Sequence, residues 1–134
     1  MSSDESMVYV GRLDTGNIEA IPVEMDGSAG TPVTKTFPAL ENGFGIDGML
    51  NWRGALIVVR DGGVHQVVMT DDETPWSLEA IAPAGEINAP TTVAGDNFGN
   101  LWVVEGQLGD LLDEDDTTNG QTPFRVVRYS TQGL

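Results

Sequence analysis

The chain has 134 residues, of which 21 are acidic and 6 are basic, giving a formal net charge of −15, with one histidine and no cysteine. A chain of this length buries roughly 70% of its unfolded surface, which is enough for one domain with a core. The charge argues against nucleic-acid and membrane partners, because phosphates and anionic lipids are bound through clustered Lys and Arg. The missing cysteines exclude disulfides, thiolate zinc sites and thiol nucleophiles, and the single histidine excludes multi-histidine metal sites.

The acidic excess has two interpretations. Lys35 is the only lysine among the six basic residues, so the acids stand with little lysine to oppose them. This composition fits adaptation to high salt, where screening relieves self-repulsion, and it equally fits an acidic protein in ordinary conditions.

Neither the start of the chain nor its hydropathy gives a targeting signal. Residues 1–6 are polar, unlike a signal peptide, and we expect them to form a disordered tail before a domain at 7–134. No apolar run reaches the roughly 20 residues needed to span a bilayer. We therefore expect no membrane partner and, by default, a cytoplasmic location.

Periodicity places the chain in the all-β class. Short β-branched and aromatic runs are bounded by Gly, Asp, Asn and Pro, and no segment keeps a 3.6-residue repeat over ten or more positions. The run from Leu56 to Val59 is apolar at every position, which predicts a strand buried on both faces, in a sheet sandwiched between other sheets. In chain order, the predicted strands are 8–10, 18–23, 33–37, 55–59, 64–69, 76–81, 91–94, 101–104 and 124–129.

The strands repeat. Residues 54–59 recur 45 residues later as 99–104, each segment following a turn and leading into further strands. A period of this length with four short strands per unit is typical of β-propeller blades, and unrelated β-hairpins are the alternative. Counted this way, residues 7–40 carry the second to fourth strands of one blade, residues 44–82 all four of the next, and residues 90–130 the first three of a third.

About two and a half to three blades are half of a six-bladed ring, since propellers close with about 4–8 blades. Each end blade would keep a bare face and an unpaired edge, which are liabilities for a β protein. Either the chain is a piece of a longer propeller, or copies of it associate to complete one. An open three-sheet stack that is stable alone is the third alternative, disfavoured by its exposed apolar faces.

The blade motifs carry a resemblance to a known family. Residues 45–49 followed by 54–59 look like an Asp-Gly step and then a Leu-Tyr-Val-Val strand. Residues 8–18 with 22–23 and 26–30 are similar to the preceding blade, and residues 89–94 with 101–109 are similar to the next. In order and spacing they resemble the senescence marker protein/gluconolactonase-like propellers. The resemblance covers residues 7–130 and maps onto the C-terminal half of a six-bladed ring.

This resemblance implies one divalent cation at a mouth of the central channel, held by carboxylate and amide oxygens that suit Ca²⁺, Mg²⁺ or Mn²⁺, with Zn²⁺ as a further candidate. It also implies hydrolysis of a small-molecule lactone, with the cation polarising the ester carbonyl and a carboxylate activating water. Asp47 matches the family's aspartate ligand; its alternative role is to form a turn before the strand.

The family's glutamate and asparagine ligands belong to blades that this chain lacks, and Thr91 and Thr92 stand at the equivalent place in the next blade. We therefore expect catalysis only in an assembled ring, formed with a second copy or with the missing half-propeller. A non-catalytic half that serves as a binding or assembly module is the alternative.

Other polar residues have weaker signals. Arg60 and Glu105 end equivalent strands, so they could face the channel and bind substrate, although strand-end charges are usually solvated. His65 is expected to be a partly exposed strand residue rather than a catalytic one, and Trp102, in an apolar run, is expected in the core. The acidic segment 110–116 lacks the glycine and closing glutamate of an EF-hand, which predicts a solvated insertion.

Overall fold

A computed structural model describes residues 1–2, 4–70, 76–106 and 124–131 of the chain. Throughout these residues the backbone is strand, turn or irregular and never helical, so the all-β prediction is confirmed. The strands are β1 (Met7–Gly11), β2 (Ile18–Pro22), β3 (Val33–Lys35), β4 (Ile46–Trp52), β5 (Ala55–Arg60), β6 (Gly63–Val68), β7 (Ser77–Ala82), β8 (Pro90–Gly95), β9 (Asn100–Glu105) and β10 (Val126–Ser130).

The described strands form three antiparallel sheets, in which chain neighbours are also sheet neighbours. The first sheet is β1-β2-β3, the central sheet is β4-β5-β6-β7, and the third sheet is β8-β9-β10. Two-residue turns with positive φ at both positions, Arg53-Gly54 and Asp61-Gly62, join β4 to β5 and β5 to β6. The division into three, four and three strands is the one that the strand count predicted; among the described residues these sheets do not close into a ring.

The central sheet is buried on both faces. Leu56, Ile57, Val58 and Val59 of β5 are each at most 2% exposed. Because successive strand residues point to opposite faces, Leu56 and Val58 enter one core cluster, and Ile57 and Val59 enter another. The prediction of a sandwiched sheet is therefore confirmed.

The first junction, between the first and central sheets, is built on Ile18 and Ala20 of β2. They pack with Leu56, Val58 and the buried ring of Trp76. The Tyr9 ring meets Trp76 edge to face, with their centroids 5.9 Å apart.

The second junction, between the central and third sheets, packs Val93, Leu101 and Val103 against Ile57 and Val59. Ile87, in the connection from β7 to β8, completes this core. Together the two junctions pack the three sheets face to face, as a stack with the central sheet in the middle.

Two sequence expectations were wrong in detail. Trp102 is 38% exposed rather than buried, because it alternates with the buried Leu101 and Val103 and so lies on the outer face of the third sheet. The predicted strand 33–37 stops at Lys35, since the Phe37 N–H is donated to the side chain of Asn17 instead of to a strand.

The first residues make local hydrogen bonds. The Ser2 and Ser6 hydroxyls both donate to the Asp4 carboxylate, and the Asn51 amide donates to the Met1 carbonyl. The disordered tail at 1–6 stays a prediction, and the acidic segment 110–116 lies outside the described residues. A search of the described residues for a helix that could cross a membrane finds none.

Candidate functional site

Asp47 is the extra residue of a β-bulge at the start of β4. The register against β5 shifts between Ile46, opposite Arg60, and Gly48, opposite Val59. Bulges re-aim a side chain and recur at barrel rims and beside active sites. The bulge leaves Asp47 exposed at the end of the first strand of the central sheet.

The third sheet repeats this bulge at the matching place. In β8 the register shifts between Pro90, opposite Glu105, and Thr92, opposite Val104, so Thr91 is the counterpart of Asp47. The equivalence that the repeat predicted is thus present in the backbone. A threonine hydroxyl is a weak cation ligand beside a carboxylate, so the two bulges are not chemically equal.

The glycine after Asp47 has a packing reason. A Cβ atom on Gly48 would lie 2.7 Å from the Thr92 Cα and 2.8 Å from the Thr91 carbonyl oxygen, which is closer than backbone atoms tolerate. The first strands of the central and third sheets therefore approach each other closely at Gly48. The Asp-Gly step combines a bulge residue with a close backbone contact.

A cavity of about 350 Å³ opens beside Asp47. Its walls are largely apolar, with Leu13, Phe44, Ala89 and Pro90 around the single carboxylate of Asp47. Small-molecule sites typically combine apolar walls with a few polar groups that fix orientation. This cavity has that composition.

Asp61 holds the rim of this cavity. Its carboxylate accepts the backbone N–H groups of Glu41 and Asn42 at 2.7 and 2.6 Å, and its own N–H is donated to the Phe44 carbonyl at 2.7 Å. The sequence indicates a turn at Asp61-Gly62, but the partners lie about 20 residues earlier and are set only by the fold.

The described residues do not by themselves form a cation site. Among them, no group of three or more His, Asp and Glu side chains is placed to hold a metal ion. Asp47 is one carboxylate facing a largely apolar cavity, whereas Ca²⁺ takes 6–8 oxygen ligands and Mg²⁺ near-octahedral coordination. Any cation bound at Asp47 would need ligands from elsewhere.

Arg60 is buried between the first and central sheets, at 4% exposure. Its Nε donates to the Gly16 carbonyl at 2.9 Å, Nη2 donates to the Pro38 carbonyl, and the guanidinium lies 5.8 Å from the Phe37 ring centroid. Burial lowers the pKa of Arg60, and the Asp61 charge acts in the opposite sense. The guanidinium is used to tie the first sheet to the central one.

Glu105 is also buried, at 2% exposure, and holds the third sheet to the connection before it. Its carboxylate accepts the Asn88 N–H at 3.0 Å and a two-pronged interaction from Arg125, at 2.8 and 2.6 Å. The hydrogen bond from Arg125 to Glu105 raises the pKa of the guanidinium. Bidentate pairs of this kind are among the stronger ionic contacts.

Arg60 and Glu105 therefore have equivalent structural roles with opposite charges. We call each of these buried side chains, together with the groups that it contacts, a latch. Arg60 ends β5 and Glu105 ends β9, which are the second strands of the central and third sheets. Each side chain reaches back to the connection that precedes its sheet, Arg60 to Pro38 and Glu105 to Asn88. The expectation of solvated strand-end charges was wrong. A role for Arg60 and Glu105 in substrate binding stays a prediction, and their polar atoms already contact protein groups.

His65 lies mid-strand in β6, with Nε2 3.2 Å from the Arg60 carbonyl oxygen. Burial lowers the pKa of His65 below its ordinary value. The ring is partly buried and bonded to backbone, as expected for a strand residue.

Sequence reasoning missed the residues that complete the second latch. Arg125 precedes β10 and pairs with Glu105, and the Tyr129 hydroxyl donates to Glu86 at 3.0 Å. Burial, followed by this contact with Glu86, raises the pKa of Tyr129 to about 12. The available signal in the sequence was that Glu105 ends an apolar strand and Arg125 stands at the start of the next predicted strand.

Comparison with protein-family models, curated proteins and solved structures finds no match for this chain.

Proposed function

We propose that this chain is a non-catalytic β-propeller segment that acts as an assembly module. Its three sheets would combine with further propeller sheets, from a second copy or from the missing half, to complete a six-bladed ring. The observation that carries the proposal is the stack itself. A central sheet that is covered on both faces is flanked by two sheets that are each covered on one face only.

The outer faces support the proposal because they keep apolar side chains. Val10 on the first sheet is 43% exposed, and Val126 on the third is 58% exposed. Contiguous apolar patches on a protein surface mark interaction sites more often than chance. The buried latches at Arg60 and Glu105 agree with a structural role, since both side chains stabilise sheet stacking.

The solution mass tests this proposal. Sedimentation velocity over a range of protein concentrations should show a dimer or larger closed assembly. Association should strengthen as NaCl is raised, because copies with a charge of −15 repel each other at low ionic strength. A monomer at every concentration and salt, with no binding of an apolar dye, overturns the proposal.

A second function, hydrolysis of a small-molecule lactone by the assembled ring, is favoured by one observation. Asp47 is presented by a β-bulge beside a largely apolar cavity of about 350 Å³. In this reading, Asp47 contributes one ligand to a divalent cation, and the remaining ligands come from the other half of the ring. Water would add to the ester carbonyl and the ring C–O bond would break, giving the hydroxy acid.

Cation titration of the native assembly tests the second function. Calorimetry with Ca²⁺, Mg²⁺, Mn²⁺ and Zn²⁺ should show saturable binding that Asp47→Ala abolishes. Asp26→Ala, in an exposed turn between β2 and β3, is the matched control and should bind as the native protein does. Absence of binding to all four cations at any stoichiometry overturns the hydrolase reading and leaves the assembly module standing.

A further inference from the structure

The outer face of the third sheet continues the pattern of the second junction. In β5, Ile57 and Val59 point toward the third sheet and are buried. The residues that occupy the same places in β9 are Trp102 and Val104, which point away from the stack. Val126 of β10 lies opposite Val104. These residues form an apolar row where the next sheet of a propeller would pack.

Trp102 is held in place on this face. Its indole Nε1 donates to the Asp96 carboxylate at 2.9 Å, and Asp96 also accepts the N–H of Asn100 at 2.9 Å. The ring is thus oriented before any partner arrives, which lowers the entropic cost of docking.

The outer face of the first sheet continues the pattern of the first junction. Tyr9 points inward to Trp76, so its neighbours Val8 and Val10 point outward. Ile21 of β2 lies opposite Val8. Val8, Val10 and Ile21 occupy the register places that Leu56, Val58 and Val67 fill in the central sheet.

Charged groups of both signs lie at each face. Arg128 lies opposite Trp102 on the third sheet and forms no ion pair with any residue that the structure describes. Glu19 lies opposite Val10 on the first sheet, where its carboxylate accepts the Thr34 hydroxyl at 2.9 Å and lies 3.6 Å from the exposed Arg12 guanidinium. Each face is therefore an apolar row with charged groups of both signs beside it, Arg128 and Asp96 on the third sheet and Glu19 and Arg12 on the first.

We propose that the outer face of the third sheet docks, head to tail, on the outer face of the first sheet of a second copy. This inference rests on the proposed assembly function and names its partner. Docking would bring Arg128 of one copy to Glu19 of the other. The register favours this contact over a face packed on its own copy, because the outer face of each end sheet repeats the side of the central sheet that packs in one of the two existing junctions.

A head-to-tail contact closes a ring when the rotation that relates one copy to the next divides a full turn into a whole number of steps. Two copies give six sheets, with both outer faces of each copy covered. The described strands would then number twenty of the twenty-four in six full blades, so the two junctions between copies would each join sheets of three strands.

Charge reversal tests the contact directly. Arg128→Glu and Glu19→Arg should each raise the dissociation constant of the assembly about tenfold, because each sets like charges together. The double variant should return it to within about threefold of the native value. Glu79→Arg, on the outermost strand of the central sheet, changes the net charge as Glu19→Arg does and should not weaken association.

Cross-linking gives an independent readout, since the chain has no cysteine. A mixture of Val10→Cys and Val126→Cys chains should form a covalent heterodimer with a short bis-maleimide, because packed sheets lie about 10 Å apart. A mixture of Glu79→Cys and Val126→Cys chains should not. Circular dichroism melting of each variant confirms folding.

The outcomes separate the two proposals. If the native chain is monomeric at every concentration and salt, the contact between copies is overturned, and the assembly function fails with it when no apolar dye binds. If it assembles, but charge reversal leaves the dissociation constant unchanged and the Val10 and Val126 cysteines do not cross-link, assembly stands and the head-to-tail contact is overturned.

Discussion

The central strand β5 and the third-sheet strand β9 have nearly the same apolar run but different surroundings. Leu56 to Val59 are buried on both faces, whereas in β9 Leu101 and Val103 are buried and Trp102 is 38% exposed. The same local pattern therefore meets a neighbour on both sides in one sheet and on one side in the other. The difference teaches that an unbroken apolar run does not by itself give the number of buried faces. That number depends on how many neighbouring sheets the described fold supplies.

The largest loss of stability should come from shortening the buried side chains of the central strand β5. Leu56→Ala and Ile57→Ala each leave a cavity in a different junction and should each lower the free energy of unfolding by about 3 kcal/mol, measured by urea denaturation. Val10→Ala, on the exposed face of the first sheet, should cost less than about 0.5 kcal/mol at concentrations where the protein is monomeric. Equal losses at Ile57 and Val10 would contradict the contrast between buried and open faces.

The next effect concerns the latch of the third sheet. Arg125→Ala removes the two-pronged contact of Arg125 with the buried Glu105 carboxylate and should lower the free energy of unfolding, measured by urea denaturation. The exposure of Arg125 keeps the loss below that of a fully buried pair. Arg128→Ala, three residues later and with no ion pair to any described residue, is the control and should change the free energy of unfolding by less than about 0.5 kcal/mol at concentrations where the protein is monomeric. A neutral Arg125→Ala would show that Glu105 is stabilised without it.

Arg60 provides the matching test in the first junction. Arg60→Met keeps the side-chain length, removes two hydrogen bonds to carbonyl groups and should cost about 1 to 2 kcal/mol. Arg12→Met is the comparison, because Arg12 follows β1 as an exposed arginine paired with Asp14, and exposed pairs contribute little. A larger loss at Arg12 would reverse the assignment of the latch.

The smallest expected effect depends on pH and concerns the open face of the third sheet. Hydrogen bonds from Asn100, together with those from Trp102 and the Phe98 N–H, hold the pKa of Asp96 far below its ordinary value of 3.8. A lowered folded-state pKa adds stability above pH 3.8, and this is lost as the pH falls toward the folded value. Asp96→Ala should therefore lower the melting temperature at pH 7, with the two proteins converging below pH 3.8. A difference that stays constant with pH would contradict this.

Local pattern was enough to predict most of the strands, since alternation, β-branched residues and glycine turns act over a few residues. It was also enough to place Thr91 and Thr92 at the position equivalent to Asp47 in the next sheet, whereas only the bulge in the register of β8 selects Thr91. It failed for Trp102, whose exposure depends on whether a fourth sheet is present. It also failed for Arg60 and Glu105, where strand-end charges suggested solvent.

By itself, the sequence determined the all-β class, the division into three sheets and the two-sided burial of the central sheet, because periodicity and turns encode these locally. The tertiary structure alone decided what the charged residues contact. Arg60 finds the Gly16 carbonyl 44 residues away, and Glu105 finds Arg125 20 residues away. Such partners depend on how the sheets stack and on where their connections pass. The residue pattern within a single strand determines neither of these.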